Sequence, residues 1–247
     1  MRKRRFERGT RFGRCGGRRG FAHPAFALAL GLLLTLAGCG ARQSLHYRMT
    51  VEIETPQGVR AGSGVIEVRV RESAFFEPGS SVHFYVTGEA IPIDLPNGQT
   101  IYAVLADRSG PDYAHHLPHR VFSKRIPEML GPVGSRASPT EKFEFLRSRK
   151  PSAVLELDEY PLLVRFADAA DPRSIETLWL GESGELEPGI QIREIRIEIT
   201  DDEITEGLRR RLPWLTALDR SLGYDGGLHP SNPGKDLTTR SFSEGVF

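Results

Sequence analysis

The chain has 247 residues, with 33 lysines and arginines against 32 aspartates and glutamates, and it contains two cysteines. The basic charge is concentrated in residues 1–20, which hold nine basic side chains and one acidic one, so residues 21–247 carry 24 basic against 31 acidic side chains. An acidic chain of this kind has no electrostatic reason to bind nucleic acid. Because Cys15 and Cys39 are the two cysteines, we expect no disulfide after residue 39.

The first predicted element is an amino-terminal leader with three chemically distinct parts. Its basic segment is followed by an uncharged segment whose apolar core, 25–36, is shorter than the ~20 residues that a spanning helix needs. The leader ends at Leu36-Ala37-Gly38-Cys39. This stretch resembles a bacterial lipobox, in which the chain is cut before a cysteine that carries a diacylglyceryl group. We therefore predict a signal peptide over 1–38 and a lipidated Cys39 in a spacer over 39–46.

Two alternatives to this interpretation of the leader remain open. An uncleaved membrane anchor would make Cys39 an ordinary small residue. Arg18-Arg19-Gly20-Phe21 looks like the core of a twin-arginine signal, which would imply export of an already folded chain. Gly40 follows the cysteine instead of the Asp that resembles an inner-membrane retention signal. We therefore expect attachment to lipid of the outer membrane, with the domain facing the periplasm.

The next segments alternate apolar and polar residues with the period of two that is typical of strands with one solvated face. Between them, Pro56-Gln57-Gly58 and Asn97-Gly98 predict turns, and a change of parity near Arg193-Glu194 predicts a β-bulge. A bulky loop is expected in the first hairpin, between Glu54 and Ile66. The predicted strands cover 47–54, 66–70, 82–86, 89–95, 100–105, 153–157, 162–166, 175–180 and 190–199.

Two regions interrupt or follow this pattern. Residues 107–151 are rich in Gly, Pro, Ser, Arg and His, which predicts a long irregular insertion with a short helix at 140–148. Thr200 or Asp201 is expected to cap a helix that buries Ile204, Leu208 and Leu212 and stops at Pro213, with Trp214 and Leu215 at its end. Residues 219–247 are predicted to form a flexible tail.

These elements predict a mainly β fold. We expect an antiparallel sheet or sandwich with a short C-terminal helix packed on it, in a single domain over 47–218. Without a disulfide, such a domain depends on a packed apolar core for its stability.

Two groups of short motifs carry a resemblance. The first is Glu54-Thr55-Pro56-Gln57-Gly58-Val59-Arg60 with Gly62-Ser63 and Val65-Ile66-Glu67-Val68, and the second includes Ile197-Glu198-Ile199-Thr200-Asp201 and Arg211-Leu212-Pro213-Trp214-Leu215. Together they resemble a family of uncharacterised proteins of Gram-negative bacteria. The resemblance covers roughly residues 47–215 and implies one domain, but it implies no activity and no site residues.

The candidates for chemistry are few. His115-His116-Leu117-Pro118-His119 brings three imidazoles together, with Asp112 nearby, and such a cluster is a possible zinc or copper site. Pro118 argues against the helical i, i+4 spacing of zinc hydrolases, so a His-rich surface loop is the favoured interpretation. Gly62-Ser63-Gly64 and Gly181-Glu182-Ser183-Gly184 both depart from the G-x-S-x-G nucleophile motif and predict turn serines.

Two functions from different classes follow. The favoured one is a non-catalytic envelope lipoprotein, a β scaffold that binds a protein, lipid or wall component through the insertion at 107–151 and the sheet edges, without a cofactor. The alternative is a metal-binding protein or metal-dependent hydrolase that uses His115, His116 and His119.

Overall fold

The structure is a computed structural model that describes residues 42–72, 82–131, 137–178, 180, 184–216 and 237–245. All of these residues belong to one compact unit, 40–247, and a second unit covers 1–39. Within the described segments, none of the helices combines the length and the apolar character needed to span a membrane.

The described strands form two antiparallel sheets. The larger sheet has the order β11-β3-β2-β1-β10-β6, with β9 paired to β10, and the smaller has the order β4-β5-β7-β8. The strands are β1 Arg42–Thr55, β2 Gly58–Glu72, β3 Val82–Glu89, β4 Ile91–Asp94, β5 Thr100–Ala103, β6 Ser152–Val154, β7 Leu163–Phe166, β8 Ile175–Leu178, β9 Glu185–Glu187, β10 Ile190–Thr200 and β11 Ser243–Glu244. The predicted mainly β, sheet-rich fold is confirmed.

The large sheet has one buried face and one solvated face. On β1 the residues of odd number from Leu45 to Ile53 are buried, whereas the even-numbered residues between them face solvent. The register of β1 against β10 shifts between Glu52 and Ile53, which pair with Glu194 and Ile192, so Arg193 is the extra residue of a bulge. The predicted alternation and the predicted bulge are therefore both confirmed.

The first hairpin differs from its prediction at both ends. β1 begins at Arg42 instead of residue 47, because Leu45 continues the buried parity and pairs with Val68. The turn is tight, since Thr55 pairs directly with Gly58, whose φ of +106° favours glycine. The expected bulky loop is absent from this described hairpin, and Gly62-Ser63-Gly64 lies inside β2 and not in a turn.

The small sheet lies between two apolar layers. Ile101, Ala103 and Leu163 point into the main core, which the large sheet and the helices share. Tyr102 and Val164 have the opposite parity and point into a second core. The middle of this short sheet is therefore buried on both faces, whereas Asp94 and Glu176 on its two outer strands are exposed.

Residues 107–151, predicted as an irregular insertion, are instead largely helical. Helix α1 covers Tyr113–Arg125 and helix α2 covers Pro139–Arg149, with a 3-10 helix at Pro127–Leu130 between them. The prediction of a helix at 140–148 is confirmed, and Ser138 caps it by accepting from the Glu141 amide at 3.2 Å. Both helices contribute buried apolar side chains to the main core, which explains why they are ordered.

The prediction that Pro118 keeps His115–His119 out of a helix is wrong. Pro118 lies inside α1, where it has no amide hydrogen to donate to the carbonyl oxygen of Ala114, four residues earlier. The Tyr47 hydroxyl donates to that carbonyl oxygen at 3.0 Å instead. Tyr47 is fully buried, and this burial raises the pKa of its hydroxyl, so the donor proton is retained. A residue of β1 thus replaces the missing helix bond.

Removing this hydroxyl should destabilise the chain. We expect Tyr47→Phe to lower the free energy of unfolding by about 1–3 kcal/mol, because the Ala114 carbonyl is left buried without its donor. In a Pro118→Ala background, residue 118 supplies the amide hydrogen, so the same substitution should cost less than half as much. Urea unfolding of the four variants measures this difference, and equal costs in the two backgrounds would contradict the account.

The helix predicted after residue 200 is reduced to a single turn, α3, at Leu208–Arg211. Thr205 pairs with β2, since its amide donates to the Val65 carbonyl at 3.2 Å and its hydroxyl accepts from the Val65 amide at 3.0 Å. Gly207 has a φ of +135°, which an α-helix excludes. Leu208 and Leu212 are nevertheless buried in the second core, as predicted, whereas Ile204 is only half-buried.

The predicted flexible tail, 219–247, is wrong for its described part. Helix α4, Thr239–Phe242, is followed by β11, which pairs with β3 through Ser243 and Glu89. Leu237 and Phe242 are buried in the second core. The carboxyl-terminal residues therefore cover both an edge of the large sheet and the apolar outer face of the small one, and the domain extends beyond residue 218.

Candidate functional site

Some residues singled out by the sequence lie outside the described residues. These are Cys39 with the rest of the leader, and Gly181-Glu182-Ser183. The structure therefore leaves the lipidation of Cys39 as a prediction. Strand β1 begins three residues after this cysteine.

The three histidines all lie on α1, where the rings of His115 and His116 lie side by side with their centroids 3.9 Å apart, whereas His119 has a different neighbour. His115 stacks on Phe84 with the ring centroids 5.1 Å apart and an interplanar angle of 15°. His119 places Nε2 at 3.1 Å from Nζ of Lys142 on α2. Across the described part of the chain, no three His, Cys, Asp or Glu side chains are grouped as a metal site would require.

The surroundings of two of these histidines favour the neutral imidazole. Burial, followed by the neighbouring His116, lowers the pKa of His115. Burial, followed by the Lys142 ammonium, lowers the pKa of His119. A neutral imidazole is able to bind a metal, but here the Nε2 lone pair of His119 faces the ammonium group that donates to it.

A cavity of about 450 Å³ lies beside the small sheet and one end of α1. Its walls are mainly apolar, with five polar or charged residues among them. The apolar lining consists of Leu157, Tyr160, Pro161, Leu162, Leu163, Leu178 and Leu180. The polar lining consists of Asp107, Arg108, Ser109, Arg120 and Asp158. A second cavity, of about 440 Å³, shares Asp107, Ser109 and Arg120 with the first and also contacts His116 and His119.

Asp107 is held by its own turn. Its Oδ1 accepts from the amides of Ser109 and Gly110, at 2.8 and 3.2 Å, and also from the Ser109 hydroxyl. Gly110 has a φ of +137°, a conformation that glycine adopts most readily. The Asp-x-Ser-Gly order of this turn is a local sequence signal, because Asp and Gly are typical turn residues. The turn places a buried carboxylate at the mouth of the cavity.

Arg120 connects α1 to this turn. Its Nη1 donates to Oδ2 of Asp107 at 3.1 Å, and its guanidinium carbon lies 5.5 Å from the centroid of the Tyr113 ring. Its Nε and Nη2 are buried and have no hydrogen-bond partner among the residues that the structure describes. Unpaired buried donors are costly, so this guanidinium has bonding capacity that the described fold does not use.

A buried carboxylate, that of Glu159, lies next in the chain to Asp158 and Tyr160, which line the cavity. Glu159 is 0% exposed and accepts from Arg125 Nη1 and Nη2 at 3.1 and 2.9 Å. Burial disfavours its charged form, but the Arg125 hydrogen bonds and the Glu156 amide outweigh burial and lower the pKa of Glu159. The Tyr113 hydroxyl also donates to the Glu159 carbonyl at 3.0 Å. These contacts join the 3-10 helix Leu157–Glu159 to α1.

Sequence reasoning missed this site. Arg120 and Asp107 are 13 residues apart, and Arg125 and Glu159 are 34 apart, so no local spacing indicates that they pair. In the sequence, the leucines of the lining are indistinguishable from the apolar residues of ordinary strands. Only the turn at 107–110 gave a local signal.

Comparison with known proteins identifies no relative of this chain. A scan against models of protein families gives no match, and neither does a search of curated proteins or of solved structures. The resemblance to a family of Gram-negative bacteria therefore stays a prediction.

Proposed function

We propose that this chain is a lipid-anchored, non-catalytic binding module of the bacterial envelope, attached through acylated Cys39 to the outer membrane and facing the periplasm. The observation that supports a binding role is the mainly apolar cavity, whose lining also contains charged residues. Its volume of about 450 Å³ lies within the range of small-molecule sites, roughly 300–1,000 Å³. The rigid sheet beside it supplies a preformed wall.

The chemistry at the cavity favours binding over catalysis. Asp107 accepts from two amides, one hydroxyl and the Arg120 guanidinium, so its carboxylate is already engaged and is not free to act as a base. Asp158, the other carboxylate of the lining, lies 3.5 Å from the Lys124 ammonium. Arg108 and Arg120 also line the cavity, and a guanidinium is suited to hold an anionic group of a ligand.

The support for anchoring comes from the sequence. The basic leader, the uncharged core and the Leu36-Ala37-Gly38-Cys39 motif have the order that a lipoprotein signal requires. After cleavage the chain would begin at Cys39, three residues before β1. An extended residue spans at most about 3.6 Å, so three residues span roughly 11 Å at most. The start of β1 would therefore lie within roughly 11 Å of the acylated cysteine.

The Cys39→Ser variant tests the anchoring. We expect the wild type to be labelled by a palmitate analogue and to fractionate with outer membranes, whereas Cys39→Ser should remain an unlabelled and uncut precursor. Cys15→Ser is the matched control, since it removes the other cysteine and should leave labelling and processing intact. Normal processing of Cys39→Ser, or recovery of the wild type with the inner membrane, would count against the proposal.

A further inference from the structure

The end of the large sheet that follows Cys39 in the chain carries exposed basic and aromatic side chains. We infer that this surface, called here the basic end, docks on a membrane that contains anionic phospholipid. Its members are Arg69 and Arg71 at the end of β2, and Val82, His83 and Tyr85 at the start of β3. The inference rests on the proposed anchoring at Cys39 and assigns the folded domain a second contact with the same membrane.

The first argument is the position of the basic end in the chain. Strand β1 begins at Arg42, which pairs in register with Arg71 of β2, and Arg71 pairs with His83 of β3. Three extended residues span at most roughly 11 Å, and neighbouring strands lie about 5 Å apart. The backbone of Arg71 would therefore lie within roughly 16 Å of an acylated Cys39, so that a long side chain is able to reach the lipid head groups.

The second argument is the distribution of charge along the solvated face of the sheet. The two rows of paired residues nearest to the start of β1 contain Arg69, Arg71 and His83, and none of the side chains described in these rows is acidic. The two rows at the other end of β1 contain Glu52 and Glu54 instead. An anionic lipid surface attracts basic side chains that lie within a Debye length of it, so the basic end is the complementary one.

The third argument is that the fold does not use Arg71. Its side chain is exposed and makes no hydrogen bond or ion pair with another residue that the structure describes. Arg69, in contrast, lies 3.3 Å from Glu67 and donates to the Thr87 hydroxyl at 3.1 Å. A guanidinium is able to hold a phosphate through two parallel hydrogen bonds, and Arg71 is available for this contact. A groove of about 330 Å³ at this place is lined by Gln43, Ser44, Arg69, Val70, Arg71 and Tyr85.

The fourth argument is the exposed apolar surface beside the arginines. Tyr85 is 48% exposed and Val82 is 38% exposed. Tyrosine is enriched at membrane–water interfaces, because its ring is apolar and its hydroxyl is polar. Lipid that covers these two side chains would remove apolar area from water. A soluble anion such as inorganic phosphate would engage Arg71 but would leave both side chains in water, so a membrane is the occupant that uses the whole surface.

Quenching by a spin-labelled lipid measures this docking. The protein recovered from bacterial membranes is incorporated into nanodiscs of phosphatidylcholine, with or without phosphatidylglycerol, and a fluorophore is attached to His83→Cys. Val59→Cys is the matched control, since Val59 is exposed, at 42%, and lies on β2 about 34 Å from Arg69 along the strand. A palmitate analogue reports whether each variant is anchored.

In nanodiscs with phosphatidylglycerol, we expect quenching at residue 83 to exceed quenching at residue 59 about threefold or more, because only the basic end meets the head groups. Without the anionic lipid this contrast should decrease. Equal quenching at the two positions of a palmitate-labelled chain would overturn the docking and leave the anchoring intact. A chain without the palmitate label would refute the anchoring, and the inference that rests on it would fail as well.

Variants of β2 assign the lipid phosphate to its residue. Arg71→Gln should reduce quenching at residue 83 in nanodiscs with phosphatidylglycerol to the level seen without this lipid. Arg60→Gln removes the same charge from an exposed residue at the other end of β2 and should leave the quenching unchanged. Because both residues are exposed, neither substitution should unfold the chain. Quenching that Arg71→Gln leaves intact, or that both substitutions reduce equally, would overturn the assignment.

Discussion

Replacing Phe242 by Ala should lower the free energy of unfolding by about 3–5 kcal/mol, the cost of removing a large buried aromatic side chain. Phe242 is 0% exposed, and its ring centroid lies 5.7 Å from those of Phe166 and Trp214. The cavity left by the substitution would open the second core beneath α3. Urea unfolding followed by circular dichroism measures the loss.

Arg240→Ala is the control for this experiment. It lies in the same four-residue helix, and its side chain is exposed, so its removal should change the free energy of unfolding by less than about 0.5 kcal/mol. Two equally small effects would mean that the carboxyl-terminal segment does not pack as the structure shows, and that the flexible tail indicated by composition is correct.

Gly62→Ala should destabilise the chain by about 3 kcal/mol or more, because the two sheets meet at this residue. A Cβ atom there would overlap the carbonyl oxygen of Pro92 and would lie 2.9 Å from Cγ1 of Ile93. Both contacts belong to β4, and a backbone oxygen cannot turn aside as a side chain can. The substitution therefore forces the small sheet away from β2, and thermal unfolding of the variant reports the cost.

Gly64→Ala provides a matched comparison on the same face of β2. Its Cβ would lie 3.0 Å from Cγ1 of Ile91, which is a side-chain atom and is able to shift. We expect this variant to lose no more than about half as much free energy of unfolding as Gly62→Ala. The reverse order would contradict the sheet packing.

The large sheet was predictable because its signal is local. Apolar and polar residues alternate from Tyr47 to Ile53, and the alternation changes parity near Arg193. Both patterns are visible in consecutive residues, because one face of the sheet is buried and the other is solvated. The glycine pattern Gly62-Ser63-Gly64 was misassigned to a turn, because its cause lies 30 residues away in β4. The sequence pattern of β2 or of β4 alone does not indicate that the two strands approach each other closely at Gly62.

The errors arise where distant residues complete a local structure. Pro118 is tolerated in α1 because the Tyr47 hydroxyl donates to the carbonyl oxygen of Ala114, and these two residues are 67 positions apart in the sequence. Phe242 is ordered by Phe166 and Trp214, although the composition around it is that of a tail. Conversely, the sequence after residue 200 has the periodicity and the charge order of a helix, but the helix is only one turn long. It is short because Thr205 pairs with Val65 and because Gly207 has a positive φ.

In the candidate site, too, some residues are indicated by a local motif and others are brought together only by the fold. Cys39 is identified by a contiguous motif, and the sequence alone is sufficient to predict its modification. Arg120 and the leucine wall come from α1, β7 and β8, and only the folded chain brings them to one cavity. The histidine cluster is conspicuous in the sequence, but the structure keeps only the His115 and His116 rings together, whereas His119 contacts Lys142.

The intact mass of the protein recovered from bacterial membranes tests the central claim most directly. We expect the mass of a chain that begins at Cys39, plus that of a thioether-linked diacylglyceryl group and an amide-linked acyl chain. A mass equal to the unmodified 247-residue chain, or to a product cut elsewhere and free of acyl groups, would contradict it.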